Sequence, residues 1–327
     1  MESLGFAPVV YEHAAAFIDE SPYRVSRDAD LLFRAHAAAY EFYGHSPIAV
    51  GIDVYNVEAE AYGATVLEVG KWEVPSVERP LVDSSEKIPS LADWDPVSES
   101  RFGLAFTAAA RLKDRWPDAD VRIPVGGPFS IAATLLGLDN LLCESLVNPE
   151  GVCFALEFLA RKQVHVVREA ASRGFGAVLF DSASTPPLLS PASFRDLVAP
   201  ALRLFRDGVV DLIGAPSFVM GGDTVLILEQ LLDLEPGFLI CPAETDQLIF
   251  MEKMRKRSDI QVRLNMSVSA VVAEDETIAI QELDRVISIA QKTAAPPRPL
   301  LVGTGVLPVD ADPRRIVRLK DHVSRLV

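Results

Sequence analysis

Clustered basic residues are missing from this sequence. Its 327 residues hold 31 Lys and Arg against 46 Asp and Glu, a formal net charge of −15. Counterion release on a phosphate backbone needs clustered cations, so the charge pattern excludes nucleic acid as an expected partner. Cysteine is scarce too. Cys143, Cys153 and Cys241 are too few for a disulfide framework and too widely spaced for a CxxC metal knuckle, which points to a cytoplasmic setting. No apolar run approaches the ~18 residues of a membrane span. The first 20 residues carry acids where a signal peptide carries bases. GxGxxG, P-loop and GxSxG signatures are absent. His13, His36, His45, His165 and His322 fall in predicted helices or ahead of the first predicted strand, and no His/Cys/Glu cluster has zinc spacing.

What is present is a core. Hydrophobic residues make up 49% of the chain and charged residues 24%, the balance of a well-packed globular protein. Short β-branched apolar runs recur, each followed by a loop and a longer segment of helical periodicity. Eight strands are predicted, over 48–55, 64–74, 121–129, 177–184, 209–218, 237–246, 260–268 and 299–308. The intervening helices carry end signals: Pro149 opens one that stops at Gly174, and Ser190 is placed to cap another. Eight strands alternating with helices predict an α/β fold, a (β/α)₈ TIM barrel, better than a doubly wound sheet. The expected layout is one domain over 1–327, with an N-terminal helical segment at 1–45. The Pro-, Ser- and acid-rich stretch 75–100 is expected to be an excursion over the barrel mouth.

In such barrels chemistry collects at the carboxyl ends of the strands. The strand assignment therefore selects Asp53, Gly126, Gly127, Phe129, Asp181, Ser182, Ser184, Ser217, Glu244, Asp246, Asn265 and Thr304. Asp53 and Asp181 each follow an apolar run, where burial raises a carboxyl pKa and suits it to acid–base work; capping the next loop is the competing role. The Gly126–Phe129 turn could hold an anion on a helix N-terminus, or serve only as a tight strand-to-helix connection. Cys241 and Glu244 are the weak metal candidates, and strand alternation puts them on opposite faces. Gly303 and Gly305 flank Thr304, a sign of a backbone that something approaches closely.

Four stretches in order, "GIDVYNVEAEAYGATV", "GGPFSIAATLLG", "DSASTPPLLSPASFRDLVAP" and "GTGVLPVDADPRRI", resemble the uroporphyrinogen decarboxylase superfamily of (β/α)₈ barrels. That resemblance implies one of two chemistries. Decarboxylases of the family clamp substrate carboxylates with an arginine-rich N-terminal segment, where this chain offers only Arg24 and Arg27. Their turn tyrosine falls on Thr134 and their last-strand histidine on Thr304, while their aspartate is kept as Asp53. The alkyl-transferring members work through zinc held by a His-x-Cys pair on strand five and a cysteine on strand eight. Here strand five ends "GAPSFVMGGDT" and the last cysteine is again Thr304, so the resemblance implies that the zinc site is absent.

The pattern is nearer the methyltransferase branch. The leading expectation is a divergent methyl- or alkyl-transferase acting on a small or corrinoid-linked substrate, with Asp53 and Asp181 catalytic. Gly126, Gly127, Phe129, Ser184, Ser217, Glu244, Asn265 and Thr304 would then line the substrate site. A corrinoid protein is a possible partner, and a homodimer is implied by the superfamily. One alternative is a decarboxylase with Asp53 stabilising a pyrrole-like cation and Arg79 or Arg263 reaching the cavity. Another is an accessory binding protein that has lost the chemistry.

Overall fold

The computed structural model describes residues 4–293 and 300–326. Eight parallel strands form one curled sheet: β1 (Gly5–Val9), β2 (Ile48–Ala49), β3 (Val121–Gly126), β4 (Gly176–Phe180), β5 (Ser217–Val219), β6 (Phe238–Cys241), β7 (Gln261–Met266) and β8 (Leu301–Val306). Their order, β1-β8-β7-β6-β5-β4-β3-β2, is that of a TIM-like barrel wrapped in helices. No backbone ladder joins β1 to β2 among the described residues. Tyr11 fills that seam instead: a Cβ on Gly51 would lie 2.8 Å from its hydroxyl. Pro299, the first residue of the predicted strand 299–308, lies outside the described residues.

Three expectations need correction. The segment 1–45 is not helical throughout, because Gly5–Val9 is a barrel strand paired with β8. Pro8 obscured it, since a proline cannot donate to a ladder. The strand accommodates Pro8 where its register with β8 shifts, between Ala7 and Val9. The run 64–74 is not a barrel strand. Only Val66–Leu67 is extended, pairing antiparallel with Ser76–Val77 in a separate hairpin that leaves Val69 and Trp72 exposed. The first half of the run 209–218 is helix: Ala199–Ile213 buries Leu202, Phe205 and Val209 along one face and ends at Gly214, whose φ of 75° breaks it. The strand begins only at Ser217.

The helices that matter for the site are α1 (Ala29–Tyr43), α2 (Asn56–Ala61), α3 (Phe102–Arg115), α4 (Pro128–Leu136), α5 (Leu138–Val147) and α6 (Pro149–Ser172). The stretch 75–100 is fastened to the helices around β3. Leu81 and Val82 donate to the Leu135 carbonyl, Ser85 donates to Glu144 at 2.8 Å, and Lys162 of α6 bonds Asp93 at 2.6 Å and the Trp94 carbonyl. Among the described residues no single helix is long and apolar enough to cross a membrane.

Candidate functional site

The carboxyl ends of β3 and β4 bring Asp181 against the turn Gly126–Gly127. Asp181 follows Phe180 directly and is fully buried. Its Oδ1 accepts from the Ser130 N–H at 2.9 Å and from the Ser130 hydroxyl at 2.6 Å, both in the first turn of α4. Its Oδ2 has no partner. Burial pushes this carboxyl up to about 6, and the bonds from Ser130 hold it from rising further. Gly127 is required by this contact, since a Cβ there would sit 2.5 Å from Oδ2. The turn therefore serves close approach of the aspartate to the helix start. Tyr55, held at φ 74°, reaches over from the loop after β2, and its hydroxyl accepts from the Ser182 N–H at 3.3 Å.

A second buried carboxyl stands on the other side of the turn. Glu58 of α2 accepts from the Gly126 N–H at 2.6 Å through Oε1, while its Oε2 has no partner. Burial raises it to about 7. Two carboxyls near neutrality, each with one oxygen anchored and one unpaired, can give or take a proton at physiological pH.

Asp53 is differently committed. It is buried in the loop after β2 and receives both Nη atoms of Arg101, each at 2.8 Å. Arg101 also binds Glu60 through Nε and the Ser26 carbonyl, and Arg27 joins at Glu60 at 2.7 Å. Burial pushes the Asp53 carboxyl up and the Arg101 guanidinium pulls it down. Fork-to-fork geometry with a guanidinium favours the charged pair. Tyr11 lies close enough that both Asp53 and Glu58 disfavour its ionisation after burial has already done so.

The other predicted residues scatter. Ser184 is buried and closes the turn by donating to the Asp181 carbonyl, and Phe129 is wholly buried in the core. Glu244 is exposed past the end of β6, and Asp246 caps the following helix at Ile249 N–H, 3.0 Å. Ser217 must be moved to the opposite face: it opens β5 rather than ending it and accepts from Arg122 at 2.8 Å. Asn265 is buried, its Oδ1 taken by Arg263 at 2.9 Å. Thr304 is fully buried and its hydroxyl accepts from the Val9 N–H at 3.0 Å, so what meets it is β1. Gly303 is approached by the Arg263 side chain, with Cδ 2.6 Å from where a Cβ would be.

Four residues of the site escaped the sequence reading. Ser130 and Tyr55 stand inside recognised stretches but carry no motif of their own. Glu58 had one usable signal, an acid on the short helix just past Asp53. Arg101 had none, being 48 residues from the aspartate it holds. Of the arginines proposed for carboxylate binding, Arg24 pairs with Glu20, Arg79 is exposed and Arg263 is buried inside the barrel.

The zinc that the superfamily resemblance brings to mind does not fit these residues. Thr304 is turned to β1, Ser217 is at the wrong end, and Cys241 is wholly buried in the core. Among the described residues no group of three or more His, Cys, Asp or Glu is placed to hold a metal ion.

Comparison with known proteins agrees with the fold. A methyltransferase from Methanosarcina mazei superposes with a TM-score of 0.80 at 14% identity, covering 99% of this chain and 94% of that one. No curated protein matches the sequence. The family model described as uroporphyrinogen decarboxylase (URO-D) matches residues 6–325. With nearly the whole chain matched to that model on a barrel of the expected order, the protein belongs to the uroporphyrinogen decarboxylase family.

Proposed function

We propose that the protein is an alkyl-transferring enzyme acting on a methyl ether or similar substrate at the carboxyl-end face, with Asp181 as its general acid. The observation that carries this reading is the state of Asp181: one oxygen fixed by Ser130, the other unpaired, and a pKa raised to about 6. The fold likeness to a methyltransferase supports the reaction class. In the step proposed, the ether C–O bond breaks, the leaving oxygen takes the proton from Asp181 Oδ2, and the alkyl carbon forms its new bond with the lone pair of an external nucleophile. A corrinoid carried by a partner protein is the acceptor that the family resemblance suggests. Tyr55 and Ser182, hydrogen-bonded beside the carboxyl, would position the leaving group.

The test is single-turnover methyl transfer from a panel of methoxy compounds to reduced free cobalamin, followed across pH. A general acid must be protonated, so the rate should fall as pH rises through about 6. Asp181→Asn should lower it by about 10²–10⁴-fold, the usual worth of a positioned acid. Full activity in Asp181→Asn would remove the assignment. Release of carbon dioxide from carboxylated substrates, without alkyl transfer, would replace it with the decarboxylase reading.

A further inference from the structure

The interior of the barrel holds a cavity of about 320 Å³ to which every one of the eight strands contributes, lying toward the amino-terminal ends. At its carboxyl-terminal limit is Phe180, whose ring stacks on Tyr11 at 5.8 Å. Its walls are mostly apolar, and one charged side chain among them stands without an ionic partner. Arg263, 7% exposed, enters from β7, anchored only through Nε to Asn265 Oδ1 at 2.9 Å and passing 5.6 Å from the Phe238 ring centroid. It forms no ion pair among the described residues. A guanidinium is not deprotonated in proteins, and a buried charge without a partner is strongly disfavoured. Gly303 makes the room for this side chain, so the backbone of β8 is shaped to keep it there.

The remaining charges of the cavity cancel. Arg122 is paired with Asp120 at 2.7 Å and also holds Ser217. The lining thus carries one net positive charge inside a chain whose formal charge is −15. An outer depression of about 260 Å³ shares Asp120, Arg122, Ser217, Phe238 and Gln261 with the cavity, which gives a route in from the amino-terminal face.

We infer that this cavity is a second ligand site, for a monocarboxylate with an apolar body, its carboxylate on the free Nη groups of Arg263. A guanidinium offers two parallel donors that match a carboxylate. A cavity of about 150 Å³ accepts benzene, so this one suits a ring with a short chain. Asp181 and its partners stand at the carboxyl ends of the strands and this cavity opens toward the other ends, so the inference stands apart from the alkyl-transfer reading.

Isothermal titration with 3-phenylpropionate and with its neutral amide, in buffer free of other carboxylates and of phosphate, tests it. The acid should bind at least about tenfold more tightly than the amide. Arg263→Met should abolish that preference, and Arg263→Lys should keep part of it. Ser217→Phe, which fills the cavity and leaves Arg263 in place, should abolish binding of both, and guards against a folding defect in the arginine variants. Equal binding of acid and amide, binding unchanged in Arg263→Met or Ser217→Phe, or no binding of the acid at millimolar concentration would overturn the inference.

Discussion

Glu58 is a residue whose ionisation the fold opposes. Its Oε1 accepts from the Gly126 N–H and, at 3.4 Å, from Gln163 Nε2, while its buried Oε2 has no partner, so the carboxylate form lacks half of its hydrogen bonding. Burial accordingly raises its pKa from 4.5 to about 7. A raised acid pKa means that the folded state binds the proton more tightly than the unfolded chain. The stability it contributes is complete below pH 4.5 and is lost as pH rises to about 7. A shift of this size corresponds to about 3 kcal/mol. Glu58→Gln keeps an oxygen to accept from Gly126 and cannot ionise. Its stability relative to the unsubstituted protein should therefore improve by about that amount between pH 4.5 and 7, read from urea unfolding at several pH values. A difference that stays flat with pH would mean that Glu58 is solvated in the folded protein.

At the scale of single elements, one hydroxyl supplements the β1–β8 ladder where its register shifts. Where the register shifts around Pro8, the Val9 N–H donates to Thr304 Oγ1 at 3.0 Å. Thr304→Val preserves shape and removes the acceptor, which should cost about 1–3 kcal/mol, the penalty for an unsatisfied buried donor. Faster amide exchange at Val9 than at the paired residues of β8 should accompany it, and an unchanged exchange rate would show that another group accepts. The same pair explains what was legible in the sequence. The apolar run of β8 announced itself, as did five other barrel strands in outline. In β1 the pattern is five residues long and interrupted by a proline, so the local signal falls below that of the exposed run 64–74. The latter has better strand composition but no sheet to bury it. Asp53 and Asp181 could be found because acids at the end of apolar runs are locally conspicuous. The bonds that define their states come from Ser130 and Arg101, which only the folded chain brings near.

Across the whole molecule, Arg101 connects regions that the barrel ladder does not. Its guanidinium holds Asp53 in the loop after β2, Glu60 of α2 and the Ser26 carbonyl ahead of α1, on the side where β1 and β2 fail to pair. The ends of an unladdered seam are thus held by one buried ionic network and by the Tyr11 ring. Replacing a buried pair by apolar groups is often neutral, whereas removing one member leaves an uncompensated charge. Arg101→Met should therefore lower stability by about 3–5 kcal/mol at pH 7. Adding Asp53→Asn should return a substantial part of that loss, because the stranded carboxylate is then gone. The urea midpoints of the two single variants and the double variant measure the coupling directly. A cost below about 1 kcal/mol for Arg101→Met, the range of exposed pairs, would mean that Asp53 reaches solvent and that the seam is held by packing alone.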